Sequence, residues 1–345
     1  MGEAPGDLQP SGVLPLIDAG ACAHAILSDA SCSSCVDACP SGAWVLDDQG
    51  LGLNESRCAG CGICASACPA EAIAFNTGEA LISPADPRTA FAGCRHTVPG
   101  DGPGQLSCMG VLGVDELMRL YARGVRTIAV PEPSPAGCHC TTPARFDEAL
   151  GRLNDELVSR DAPGLKVTAL AADVWAERAR ATDAGHDQVD RSRRALFSTL
   201  LAGAARDAGE ALRGVEIALG GNGNESLFAH VPHLDQLRCT GCDACISICD
   251  SQSLTLIKDE AGNECYRVDP GRCTGCGLCV DICAVAAIEV EHLGAGARCL
   301  IELSSAQCRS CGAPYHRSAA GKGGDRLCPV CAGKGHHVTR FQVLE

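Results

Sequence analysis

Cys58-Ala-Gly-Cys61-Gly-Ile-Cys64-Ala-Ser-Ala-Cys68-Pro69 and Cys273-Thr-Gly-Cys276-Gly-Leu-Cys279-Val-Asp-Ile-Cys283 share one spacing, C-x2-C-x2-C-x3-C. In such a run three thiolates wrap one face of an iron–sulfur cubane, and the fourth points away, toward a second cluster. Cys239-Thr-Gly-Cys242-Asp-Ala-Cys245-Ile-Ser-Ile-Cys249 repeats the pattern. A further copy, Cys32-Ser-Ser-Cys35-Val-Asp-Ala-Cys39-Pro40, is one cysteine short. With Cys22, these runs use sixteen of the chain's twenty-six cysteines. A short β-like segment follows each, at 43–46, 72–75, 254–257 and 287–290, so one unit recurs in two pairs.

Composition agrees with a metal-stapled chain. Aromatic residues make up 3% of 345, too few large side chains for an ordinary core, so folding is expected to depend on bound metal. Tight CxxC repeats suit metal thiolates rather than disulfides, and such sites need reduced thiols. Zinc fits these four runs poorly, because its usual all-cysteine sites are two CxxC knuckles far apart in sequence. The first 21 residues have no basic start and no long apolar stretch, and no run approaches a membrane span. A cytoplasmic protein without direct membrane insertion is the expectation. The formal charge of −14 argues against nucleic acid as a partner. It suits docking to a basic patch on a redox partner, or solubility alone. No phosphate-cradling glycine loop follows a strand, and no persuasive nucleophile or acid–base set is visible.

The paired loop–helix–strand unit resembles the bacterial dicluster ferredoxin, over roughly a third of the chain. The resemblance implies that the fourth cysteine of each motif crosses to its neighbour's cluster. The implied sets are Cys22, Cys32, Cys35 and Cys68; Cys39, Cys58, Cys61 and Cys64; Cys239, Cys242, Cys245 and Cys283; and Cys249, Cys273, Cys276 and Cys279. Each would hold one of four [4Fe–4S] clusters. Asp250 and Ala284 stand where the pattern has proline after the fourth cysteine. In the short copy, regular spacing puts the missing ligand at Asp29. Three readings compete there: Cys22 reaches in across a longer loop, Asp29 supplies a carboxylate oxygen, or the site holds a three-iron cluster. Thiolate is the better-matched ligand for iron, and a longer loop costs little closure entropy.

Between the pairs, residues 86–172 read as a small α/β unit. VRTIAVP at 125–131 and LKVTAL at 165–170 are buried-strand patterns, and Phe146, Ala149, Leu150, Leu153 and Leu157 form a helical stripe before the second. Strands alternating with helices imply a parallel sheet. The order Cys108-Met-Gly-Val-Leu-Gly-Val-Asp-Glu-Leu, then RGVRTIAV, then Gly137-Cys138-His139-Cys140 resembles the delta subunit of methyl-viologen-reducing hydrogenase. That resemblance implies a [2Fe–2S] cluster on Cys94, Cys108, Cys138 and Cys140. Thr97 stands where a CxxC partner of Cys94 would be, so a docking module with buried thiols is the other reading. Residues 195–212 have helical periodicity, and 220–224 read as a turn.

Cys308-Arg-Ser-Cys311 and Cys328-Pro-Val-Cys331 are sixteen residues apart, a zinc-ribbon spacing. Four thiolates there suit one zinc, or a rubredoxin-type iron. His316, His336 and His337 read as surface residues, and Cys265 and Cys299 as buried fillers.

The expectation is thus an α+β multidomain chain. It comprises a dicluster ferredoxin domain (1–84), a small α/β parallel-sheet domain (85–172), a helical linker (173–232), a second dicluster domain (233–295) and a zinc ribbon (296–345). The expected role is an electron-transfer subunit of a larger oxidoreductase, of hydrogenase, heterodisulfide-reductase-like or molybdopterin type. Catalysis would fall to a partner subunit. The alternatives are a stand-alone reductase with an open-site cluster at the first motif, and a cluster-stabilised scaffold.

Overall fold

The computed structural model describes residues 13–47, 50–98, 102–132, 143–183, 214–219, 226–260, 262–296, 298–320 and 327–333. Its repeating unit is a helix of four or five residues that carries the third cysteine of a motif. These helices are Ser34–Asp37, Ile63–Ala67, Ala244–Ile248 and Leu278–Asp281. Three residues past each fourth cysteine the backbone turns left-handed, at Gly42 (φ 56°), Glu71 (52°), Gln252 (55°) and Ala286 (46°). The N–H of each donates to the carbonyl of Cys39, Cys68, Cys249 or Cys283. A strand then begins: Trp44–Asp47, Ile73–Ala74, Leu254–Lys258 or Ile288–Gly296. Only one of the four left-handed positions is glycine. Ala286→Gly is therefore expected to stabilise the metal-loaded protein by about 1 kcal/mol, since a left-handed residue with a Cβ costs roughly 1–2 kcal/mol and glycine returns part of that as chain entropy. A denaturant midpoint that rises at constant slope checks it.

In each dicluster region a strand preceding the motifs closes on the strand following them. Leu16–Ile17 pairs antiparallel with Ile73–Ala74, and Ser226–Leu234 with Ile288–Gly296. Hairpins follow the first motif of each region, pairing Trp44–Asp47 with Gly50–Leu53 and Leu254–Lys258 with Glu264–Val268.

Two expected boundaries move. Residues 226–232, read as part of a helical linker, belong to a nine-residue strand. Pro232 and two histidines interrupt its apolar alternation, and Pro232 is tolerated because Glu216–Ala218 pairs only with 226–228, leaving the strand's other edge open at 232 among the described residues. Nor does the C-terminal segment break away at 296. Cys299–Gln307 pairs with Glu264–Val268, so one sheet runs from the second ferredoxin hairpin through Cys299–Gln307 to Pro314–Ser318. Ala172–Asp183 is helical. Residues 195–212 and 220–224 lie outside the described residues.

The middle region is a four-stranded sheet in the order Lys166–Leu170, Thr127–Pro131, Thr89–Phe91, Leu81–Ile82. The first three strands are parallel. Helices Val114–Ala122 and Pro143–Val158 bury Leu117, Met118, Leu120, Leu153 and Leu157 against Ile128 and Val125. On the other face Trp175 meets Phe91 edge-on and donates its indole N–H to the Ala129 carbonyl at 2.8 Å. This is the one ordinary hydrophobic core among the described residues. The smaller cores mix side chains such as Trp44, Ile73, Leu254 and Tyr266 with motif cysteines.

The three regions share part of the middle region's core, which takes in Ile63, Ile217, Leu227 and Leu293, and they also touch at the motifs. Ser31 donates from its backbone N–H and its hydroxyl to the two oxygens of Asp281, both at 2.8 Å. Beside that clamp, Ala23, Ala30 and Leu278 form a small buried core that includes Cys32 and Cys276. On the other side, Arg95 donates to the Gly60 carbonyl at 2.7 Å, and the Ser107 hydroxyl to the Cys61 carbonyl at 2.7 Å.

Candidate iron–sulfur centres

Why thiols converge follows from the loop backbone. In the three regular motifs the second cysteine lies between two left-handed residues: Gly60 and Gly62, Gly241 and Asp243, Gly275 and Gly277. This curls the chain so that the first three sulfurs face inward. Four thiols then line each of three pockets. One is lined by Cys39, Cys58, Cys61 and Cys64. One is lined by Cys239, Cys242, Cys245 and Cys283. One is lined by Cys249, Cys273, Cys276 and Cys279. In each, the fourth-position cysteine comes from the neighbouring motif.

The irregular motif has no left-handed loop around Cys32. Its helix starts at Ser34, inside the spacer between Cys32 and Cys35. Cys22 arrives instead from upstream. The pairing of Leu16–Ile17 with Ile73–Ala74 anchors that segment near Cys68. The Asp18 carboxylate accepts the Gly20 N–H at 3.1 Å, and Cys22 then opens the helix Ala23–Ile26. Burial pushes the Cys35 thiol up to about 12, and the charges of Cys68, Cys32 and Cys22 push the same way. Asp29 lies exposed, taking only the Ser28 hydroxyl.

Electrostatics favour a cation in all four places. Burial, then neighbouring thiols, pushes Cys245 up to about 12 and raises Cys279 as well. Cys61, Cys64 and Cys273 rise to about 11, chiefly by burial. Crowded buried thiols are poor acids alone, whereas a metal cation deprotonates them outright. Donors already point at the sulfurs. The N–H of Ala43 reaches Cys39 Sγ at 3.3 Å, that of Leu254 reaches Cys249 Sγ at 3.5 Å, and that of Ala287 reaches Cys283 Sγ at 3.2 Å. All-thiolate sets with aimed N–H groups fit an iron–sulfur cluster in donor softness and in hydrogen bonding.

The 4Fe-4S dicluster domain family matches the chain twice, at residues 30–74 and 238–287. The two regions are thus dicluster 4Fe–4S domains, the class used in iron–sulfur electron transfer. No curated protein matches the chain.

Beyond the sixteen, Cys308, Cys311, Cys328 and Cys331 bring their sulfurs within 4.8 Å of one another, a group able to hold a metal ion. The Cys328 N–H donates to Cys308 Sγ at 3.2 Å, which with other backbone donors lowers that thiol to about 6. Cys94 and Cys108 are both buried, beneath the contact with the Cys58–Cys64 loop, and Cys108 lies in the field of Cys61. Cys138 and Cys140 lie outside the described residues. No helix is long and apolar enough to cross a membrane among the described residues.

Several side chains change their reading. His316 is not a surface residue: its ring is 12% exposed and bridges Asp243 at 2.8 Å and Glu264 at 3.2 Å. The hairpin pairing that brings Pro314–Ser318 onto the second ferredoxin sheet buries it. His336 and His337 lie outside the described residues. Cys265 is buried, but Cys299 is exposed at the start of its strand. A titratable chain that sequence reading missed joins Asp115 to His230 at 3.3 Å and His230 to His292 at 3.0 Å. His230 and His292 sit directly opposite each other on paired strands, a cross-strand relation that only the register reveals.

Proposed function

We propose that this chain is an electron-relay subunit of a larger oxidoreductase, with four [4Fe–4S] clusters on the sets Cys22/32/35/68, Cys39/58/61/64, Cys239/242/245/283 and Cys249/273/276/279. When bound, each cluster supplies a one-electron couple. The observation that carries the reading is the docking of the two dicluster domains at Cys32 and Cys276. It strings the sets in one order. Cys39/58/61/64 lies against the middle region, Cys22/32/35/68 follows, then Cys249/273/276/279, and Cys239/242/245/283 comes last beside the C-terminal sheet. The crossed fourth cysteines link sets within a domain, and the Ser31–Asp281 clamp holds the step between domains. Catalysis then belongs to a partner, for which the middle region is the natural dock. The four C-terminal thiolates hold a zinc that stiffens the far end. Asp29 at the surface gives no support to an oxygen-ligated, substrate-binding cluster.

The test is iron, sulfide and zinc analysis of anaerobically purified protein, with EPR of the reduced form. About sixteen irons per chain are expected, four per cubane, with one zinc. About eight would remove half the relay, and a colourless zinc protein would end the reading. Retrieval of a large catalytic subunit with the tagged chain supports it, whereas turnover by the isolated protein with dithionite overturns it. A finer check addresses the junction. Asp281→Ala removes both acceptors of Ser31 and is expected to weaken the magnetic coupling between the sets Cys22/32/35/68 and Cys249/273/276/279 while leaving the iron count unchanged.

A further inference from the structure

The two ends of this cysteine array differ in charge, and the difference lies in named side chains. Three motifs share one feature: an arginine, Arg57, Arg238 or Arg272, immediately precedes the first cysteine. Being repeated, it cancels from any comparison. What remains is unequal. At the position following the second cysteine, two motifs have Gly62 and Gly277, with φ of 75° and 77°. The third has Asp243, at φ 63°, a conformation glycine adopts more cheaply. Its carboxylate sits beside Cys242 and is held by the Tyr266 hydroxyl at 2.6 Å and by His316 at 2.8 Å. Glu264 stands behind His316 at 3.2 Å. Two carboxylates share one histidine, so these three side chains together stay net negative whether or not the ring is protonated.

The opposite end is cationic. Arg95 lays its guanidinium on the loop between Cys58 and Cys61, donating to the Gly60 carbonyl. Arg145, from the helix Pro143–Val158, has a buried Nε with no acceptor among the described residues. Burial disfavours its cation, and the negative charges of Cys61 and then Glu148 oppose that. A buried donor left unmatched is costly, and an anionic cluster held at Cys61 would offset that burial. Exposure differs as well. Cys242 is the one exposed thiol of the sixteen, whereas Cys39/58/61/64 is covered by the middle region.

We infer that Asp243 and Glu264 hold the cluster of Cys239/242/245/283 at the lowest potential of the array, and that Arg145 and Arg95 hold the cluster of Cys39/58/61/64 at the highest. The exposed corner is then where an external reductant delivers electrons one at a time, and the covered end beside the middle region is where they leave. A negative charge disfavours adding an electron and a positive charge favours it, and net charge and hydrogen bonding are the protein's means of setting such potentials. Water at Cys242 acts the other way, by solvating the reduced state. One partly exposed sulfur is outweighed by a carboxylate pinned beside it with a second behind. Arg145, Arg95, Asp243 and Glu264 are positioning residues: they act on the clusters through space and bind no iron.

The inference rests on the relay reading, and one experiment separates their failures. The full-length protein, purified anaerobically, is titrated potentiometrically with EPR detection, alongside Asp243→Asn and Arg145→Gln. Asparagine keeps the left-handed tolerance at 243. Each substitution is expected to move one cluster by about tenfold in its reduction equilibrium, which for one electron is about 59 mV. Asp243→Asn moves the lowest-potential cluster up, and Arg145→Gln moves the highest-potential cluster down. Arg145→Lys restores most of the latter shift, which a purely structural role for Arg145 would not produce. Should Asp243→Asn lose iron, Glu264→Gln gives the same upward shift from outside the motif. If the responding clusters have the reverse order, or neither potential moves, the inference fails while the relay stands. If no cluster takes up an electron, the relay itself fails.

Discussion

Stripping iron from the protein under anaerobic conditions is expected to unfold both dicluster regions while the middle sheet survives. The motif helices have four or five residues, far below the roughly 12–15 at which an isolated helix becomes even marginal. Their cores are built around cysteines that ligate metal or else sit as crowded, buried thiols. Cys35, Cys64, Cys245 and Cys279 are buried members of those cores, so losing the metal that would hold their thiolates loosens the packing around them. The middle region supplies most of its own core, since Leu117, Met118, Ile128, Leu153 and Leu157 pack on one another, with Ile63, Ile217, Leu227 and Leu293 of the dicluster regions at its border. The chain's two tryptophans report the two outcomes separately. Trp44 is buried among Cys35, Cys64 and Ile73, while Trp175 is buried against Phe91 and Ala129. In Trp175→Phe, chelation is expected to shift the remaining emission to the red and abolish its near-ultraviolet circular dichroism. In Trp44→Phe, the emission of Trp175 stays blue. If Trp44 keeps its buried spectrum after iron is gone, metal is not what holds these regions together.

The same division explains what could be read from the sequence. Ligand spacing is a local property: three cysteines at fixed intervals curl inward because the intervening glycines allow φ near +60° to +77°. The four motifs and the strands behind them were therefore legible. So was the parallel pairing of 127–131 with 166–170, which follows from apolar runs separated by a helical stripe. Contacts between motifs were not legible, because they depend on register and on long-range pairing. Nothing in Ser31 or Asp281 announces a clamp across 250 residues of chain. His316 looked like a surface residue because the strand pairing that buries it joins 299–307 to the second ferredoxin hairpin. Asp243 drew no notice in the sequence, and its meaning emerged only with Tyr266 and His316 beside it.

Cys22→Ser is expected to remove one cluster and to cut the array in two. Cys22 stands ten residues upstream of Cys32, outside the regular spacing, yet its thiol shares the field of Cys32, Cys35 and Cys68. A serine hydroxyl is a harder, weaker ligand for iron than thiolate, so iron should fall by up to about four atoms per chain, the content of one cubane. Asp29→Ala, at the exposed position that regular spacing would favour, should leave iron unchanged, as should Cys265→Ser, a buried cysteine outside every set. The reverse outcome, with iron lost from Asp29→Ala and kept in Cys22→Ser, would make the carboxylate the ligand. The electrical consequence is larger than the compositional one. In the proposed relay Cys22/32/35/68 stands between Cys39/58/61/64 and Cys249/273/276/279, since Cys32 and Cys276 pack on the same small core. Without it the C-terminal domain should still be reduced through its exposed corner, while the set under the middle region stays oxidised on the same timescale. Stopped-flow reduction watched by freeze-quench EPR distinguishes this from a general loss of folding. A misfolded variant slows every cluster, whereas a severed array slows only those beyond the gap.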